Sequence, residues 1–263
     1  MCRTDDRTLN NKPKSKNQKA PRQRDLKRTD AGGTPIENAV LLKIPDTEYN
    51  LIRPHLEFVK VQSQQSLHEP GQRLEYSYFP NQGMVSVLIE ISGARTLEVG
   101  VVTKQGFTGE LARQRTSPYR MICQPPGDGF LVKADVLHEI LLSAPHLQSR
   151  LSRFVRFQLL RVSQIAACNR FHEIEHRLAR WLLMSQDRVG SDLLPFTHEF
   201  LASMLGTGRA IVSIAAAILQ KAGLIQYRRG TVTILDRKNL EDAACECYRV
   251  IKQFEAEIEP NAG

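Results

Sequence analysis

The chain has 263 residues, of which 41% are hydrophobic and 24% charged, with a formal net charge of +8. That length holds two domains and a sizeable core, and the composition is that of a globular chain rather than a fibrous or low-complexity one. No run approaches the ~18–20 apolar residues of a membrane span. The start lacks the apolar core of a secretory signal. The five cysteines, Cys2, Cys123, Cys168, Cys245 and Cys247, form no paired framework. A reducing, cytoplasmic setting without membrane contact is therefore expected.

Residues 1–35 carry ten Lys or Arg against Asp5, Asp6, Asp25 and Asp30, a net of +6 that leaves only +2 for the rest. With almost no apolar residues, they are expected to be a disordered basic tail. The excess positive charge therefore supports a polyanion partner only weakly, and motifs must carry the argument.

From 36 to 135 the texture is of short strands broken by turns. Ile44–Leu56 suggests one or two short helices, with Pro45 at the start. Met84–Ile91 and Thr96–Val102 read as strands around Ser92-Gly93-Ala94, and Met121–Gln124 and Phe130–Lys133 flank a Pro-Pro-Gly turn. Many short strands without βαβ alternation imply an antiparallel β-sandwich or jelly roll. Residues 136–190 then read as connecting helices. Pro145 can open a long one, on which Leu151, Val155, Gln158, Val162, Ile165 and Asn169 recur at alternating four- and three-residue steps. That repeat predicts a dimer seam. A second amphipathic helix covers about His172–Gln186, ended by Gly190-Ser191-Asp192.

Residues 191–263 hold the most specific pattern. Thr197 can cap a helix over His198–Leu205, Gly206 supplies a sharp turn, and a second helix runs from Arg209 to about Lys221, stopped by Gly223. Leu201, Leu205, Val212 and Ala215 fall on the faces that meet, while Arg209, Ala210, Ser213 and Ala217 face away. Leu224–Arg228 and Thr231–Leu235 alternate about Arg229-Gly230, a hairpin with a basic tip. Together these predict a winged helix-turn-helix on double-stranded DNA. Leu240–Glu257 reads as a closing helix.

Two other constellations carry chemistry. His172-Glu173-Ile174-Glu175-His176 fits the H-E-x-x-H pattern of zinc peptidases, which makes a zinc-dependent hydrolase the alternative function. Glu175 adds a charge where such clefts are apolar, and no downstream third ligand is placed, so no metal ligand and no catalytic residue are assigned. Gly109-Glu110-Leu111, followed by Arg115, Thr116 and Ser117, is a candidate effector pocket in which the carboxylate would meet a ribose hydroxyl and an arginine a phosphate. Cys123 and Cys168 lie in apolar runs and read as buried thiols.

Tyr78-Phe79-Pro80, Gly109-Glu110-Leu111, Ala167-Cys168-Asn169-Arg170, Arg177 to Leu182 and the whole of 194–236, in this order, resemble the Crp–Fnr family of bacterial transcription regulators. The resemblance spans about residues 40–250. It implies an α+β chain: an N-terminal antiparallel jelly roll of the cyclic-nucleotide-binding type, a long dimer helix and a C-terminal winged helix-turn-helix. It also implies a homodimer on a DNA operator, with RNA polymerase as a further partner, and no enzyme. In the family's pattern Arg209 would read guanine and Thr197 would touch phosphate. Thr207, Ala210, Ser213 and Ile214 would join Arg209 at the bases, and Arg228 and Arg229 would hold phosphates. Ala210 replaces the usual Glu, and Ile214 a second reading Arg, so a different operator is expected, with thymine methyl contacts. Thr116-Ser117 replaces the family's Arg-Ser or Arg-Thr phosphate pair, which argues against cyclic AMP. Only Cys2 lies in the tail, which argues against an iron–sulfur cluster. No cofactor is assigned and the effector is left unknown; a cyclic-nucleotide-binding module without DNA reading is a further alternative.

Overall fold

The computed structural model describes residues 28–91, 95–109, 111 and 116–258. Residues 28–35, counted with the tail in the sequence, fold onto the β-domain: Thr29 bridges Pro35, and the Arg28 guanidinium lies 4.6 Å from the Tyr49 ring centre. Residues 1–27 lie outside the described residues.

Helices α1 (Ala39–Leu42) and α2 (Asp46–Ile52) lead into strand β1 (Glu57–Val61). Strands β2 (Ser66–His68), β3 (Tyr76–Gln82), β4 (Val85–Ile91), β5 (Arg95–Val102), β6 (Tyr119–Cys123) and β7 (Gly127–Lys133) follow. All their pairings are antiparallel, and they form two sheets in the orders β1-β7-β3 and β2-β6-β4-β5. This is the expected jelly-roll sandwich. The Pro125–Pro126 turn does not close a hairpin, because β6 and β7 lie in different sheets. Phe79 of β3 and Phe130 of β7 are wholly buried, each worth ~1.5–3 kcal/mol by area.

Helix α3 (Ala134–Leu141) precedes the long helix α4 (Pro145–Phe171). Proline at its first turn loses no hydrogen bond there. The open amides of His146 and Leu147 are met by the buried Glu48 carboxylate of α2, at 3.1 and 2.8 Å. Phe154 of α4 seats against Phe107, centres 5.8 Å apart. Gly106 makes this approach available, since a Cβ there would fall 2.1 Å from the Phe154 ring.

Helix α5 (Ile174–Val189) ends on Gly190 and leads to β8 (Leu193–Leu194), α6 (His198–Leu205), α7 (Arg209–Lys221), β9 (Ile225–Arg228) and β10 (Thr231–Ile234). The last three strands pair in the order β8-β10-β9. The expected closing helix is two, α8 (Arg237–Ala243) and α9 (Cys247–Ile258). No single helix among the described residues is long and apolar enough to cross a membrane.

Candidate nucleic-acid interface

Helix α6 begins where Thr197 Oγ1 accepts the Phe200 amide at 3.1 Å, and it ends at Gly206, whose φ of +64° few other residues adopt cheaply. The Arg177 guanidinium of α5 donates to the carbonyl of Leu205, fixing that end of α6. After Gly206 the chain turns by 105° into α7, within the range of helix-turn-helix units. Leu201, Ala202, Leu205, Val212 and Ala215 are all buried where the two helices meet. Trp181 of α5 packs edge-on to Phe196 and Phe200, at 5.0 and 5.7 Å, and so fixes the pair on the connector.

The outward side of α7 is left to solvent. Arg209 and Ala210 are exposed on its first turn, followed by Ile211, Ile214 and Ile218 at 47%, 63% and 47% exposure. Thr207 is half-buried ahead of it. Gly208 gives no side-chain cap, and the start of α7 presents the positive end of the helix dipole. The wing is a two-residue hairpin, with Arg228 opposite Thr231 and positive φ at both Arg229 (+48°) and Gly230 (+80°), the geometry of a type I′ turn. Arg228 and Arg229 are both exposed at its tip.

Ser213 sits differently from its sequence expectation. It is half-buried, donating to the Arg209 carbonyl at 3.0 Å and lying 2.8 Å from His198 Nδ1. The hydroxyl thus ties α7 to α6 instead of standing free for a base. His198, which the sequence reading passed over, joins three elements: its ring stacks on Tyr227 of the wing, centres 3.8 Å apart. Burial, and then the charge of Arg209, push its pKa down. A histidine directly after a helix cap, facing a tyrosine of the wing, was the available signal, but only the fold pairs them.

The predicted effector residues that are described differ in their surroundings. Gly109 has φ +140° and lies against Ser77, and Thr116 is exposed. Ser117 is buried, its Oγ accepting the Tyr119 amide and its backbone closing on Gly71 and Gln72. Leu111 is half-buried, while Glu110 and Arg115 lie outside the described residues. A cavity of about 700 Å³ lies elsewhere, between Met84, Lys104, Phe157 of α4 and Lys252 and Glu255 of α9.

The seam on α4 divides. Leu151 and Ile165 are buried inside the protomer, and Gln158 donates to the Val101 carbonyl of β5 at 3.0 Å. Val155 and Val162 are exposed at 44% and 36%, with Leu159 between them at 66%; Asn169 is half-buried. Alternating three- and four-residue steps track the border between two faces, so the six positions mix the inner face with the outer one.

The H-E-x-x-H reading is overturned. α4 stops at Phe171, His172 is its extended C-cap, Glu173 caps α5, and His176 belongs to α5. The histidines therefore do not sit one turn apart on one helix, which the peptidase geometry requires. His176 Nδ1 faces the Ala243 carbonyl, while His172 faces Glu246 and Cys247.

Residues 176–243 match the model of the Crp-like helix-turn-helix domain. The fold is similar to a crp/fnr-family transcriptional regulator of Eubacterium rectale, with a TM-score of 0.65 at 18% identity over 78% of this chain and 97% of that one. It is also similar to the c-di-GMP-responsive regulator CLP of Xanthomonas campestris (0.64, 19%, 72% and 99%). A CRP-family regulator of Thermus thermophilus gives 0.61 at 24% identity, over 71% and 96%. No curated relative matches the chain by sequence. What is shared is the architecture: a β-sandwich, a long helix and a C-terminal helix-turn-helix. The C-terminal part thus matches a Crp-like helix-turn-helix domain, and the chain shares the fold of these solved regulators.

Proposed function

We propose that the chain is a homodimeric, sequence-specific regulator that lays α7 in the major groove of a two-fold operator. The observation that carries this is the outer side of α7: one exposed arginine at its head, followed by alanine and isoleucine side chains that leave the helix unpartnered. Arg209 can meet guanine O6 and N7 in a bidentate contact, and Ala210 and Ile214 suit thymine methyl groups. Thr207 stands beside them, while Thr197, Arg228 and Arg229 would hold phosphates and set register. Ser213 would steady the helix.

The exposed line Val155, Leu159 and Val162 on α4, continued by Ala166, is the side to cover with a second copy. The β-sandwich would sense a small molecule, and a bound dimer would act on transcription by meeting or blocking RNA polymerase. Selection of bound duplexes from a random pool tests this. The expected product has two inverted half-sites about one helical turn apart, each with a G·C pair among A·T pairs. A pool left unenriched at physiological salt contradicts it.

A further inference from the structure

The end of α4 and the turn between α8 and α9 bring together four side chains that the DNA-binding reading does not use. Cys168 is on the last turn of α4, His172 is its C-cap, and Cys245 and Cys247 flank Glu246 at the start of α9. Their ligand atoms all lie within 4.8 Å of one another. Cys168 Sγ is 3.5 Å from Cys245 Sγ, and Cys247 Sγ is 3.5 Å from His172 Nδ1. The three thiols are buried and form a cluster apart from the main hydrophobic core.

We propose that Cys168, His172, Cys245 and Cys247 bind one zinc-class divalent ion in a Cys3His site that clamps α4 to α9. Zn–S bonds of about 2.3 Å and a Zn–N bond of about 2.0 Å put tetrahedral donor edges at about 3.5–3.8 Å, close to the separations found. The imidazole is already oriented for it. Its Nε2 lies 3.1 Å from a Glu246 carboxylate oxygen, which leaves Nδ1 facing the thiols with its lone pair, as second-shell carboxylates do for metal-bound histidines. Gln164 Nε2 reaches Cys247 Sγ at 3.1 Å, a donor suited to a thiolate. Binding would release three thiol protons and leave the site at a net charge of −1. Arg180 answers that charge: it is 3% exposed, pairs with no carboxylate among the described residues, and acts electrostatically on Cys168. The site shares only His172 with the peptidase string, and His176 takes no part in it.

Metal analysis of the full chain, purified under reductant from zinc-supplemented cells, should give one zinc per chain. Cobalt added after chelation should give thiolate-to-metal charge transfer and the strong visible bands of a tetrahedral site. Cys245→Ser and His172→Ala should each lose the metal, whereas Cys123→Ser and His176→Ala should keep it. Glu246→Gln should weaken binding about tenfold with the same spectrum. A folded wild-type chain with no zinc and no cobalt spectrum overturns the proposal, and this arm does not depend on any variant folding. So does zinc kept by both ligand variants, or a Cys168–Cys245 disulfide found in the metal-free chain as isolated.

Discussion

His198 stands where α6, α7 and the wing touch, so its charge state bears on the whole DNA-binding unit. Its ring is half-buried, and Nε2 has no hydrogen-bond partner among the described residues. Burial lowers its pKa, with the Arg209 charge adding to the effect, so the folded state prefers the neutral ring. The unfolded chain, with the ordinary value of about 6.5, then binds more protons in the window below it. Stability is therefore full above about pH 6.5 and falls as the pH drops through that value. His68, also lowered by burial, acts in the same direction. In thermal melts between pH 7.5 and 5.5, His198→Phe should keep the stack on Tyr227 and show a smaller loss of melting temperature than the wild type. An unchanged pH profile would mean that His198 titrates alike in both states.

Among the elements, α4 shows most clearly what a one-dimensional pattern can and cannot specify. Its start at Pro145 was legible because proline and the apolar period both mark it. Its two faces were not, because a repeat of 3.5 residues runs along their border, and only the position of β5 decides which side is inward. Leu159, absent from the predicted seam, is the most exposed apolar side chain of the outward line. Leu159→Arg should therefore separate the protomers with little cost to the fold, since that side chain is 66% exposed. Sedimentation should give a monomer that melts within about 0.5 kcal/mol of the wild type, as surface changes usually do. A dimer persisting at micromolar concentration would place the interface elsewhere. The same one-dimensional limit produced the H-E-x-x-H match. Its five letters straddle a helix break at His172–Glu173, which no spacing rule reveals.

At the scale of the molecule, β5 of the N-terminal sandwich packs against both α4 and α6. Glu98 of β5 accepts from Ser86 of β4 at 2.9 Å and from Trp181 of α5 at 3.3 Å. It also faces the buried Arg161 of α4 at 3.7 Å. Next to it, Leu97 lies against Gly206, at the bend of the helix-turn-helix. A displacement of β5 would therefore reach α4, α5 and the helix-turn-helix together. Glu98→Ala leaves a buried guanidinium without its carboxylate, a loss of about 3–5 kcal/mol. Urea unfolding should show it, and a change under 1 kcal/mol would mean that water replaces the pair.

The sandwich, the long helix and the helix-turn-helix were readable in the sequence because each rests on local period and turn chemistry. The exchange of sheets between β6 and β7 was not, nor the Glu98–Arg161 pair, nor the thiol cluster. These join residues tens of positions apart through contacts that no local pattern encodes.

The proposed DNA reading depends on Arg209 meeting base edges. Competition binding of wild type, Arg209→Ala and Arg228→Ala, on the selected operator and on random duplex across a salt series, tests that most directly. Arg209→Ala should lose about 1–3 kcal/mol on the operator alone, while Arg228→Ala should weaken both duplexes alike and reduce the salt slope by about one. Equal losses on the two duplexes for Arg209→Ala would contradict the account.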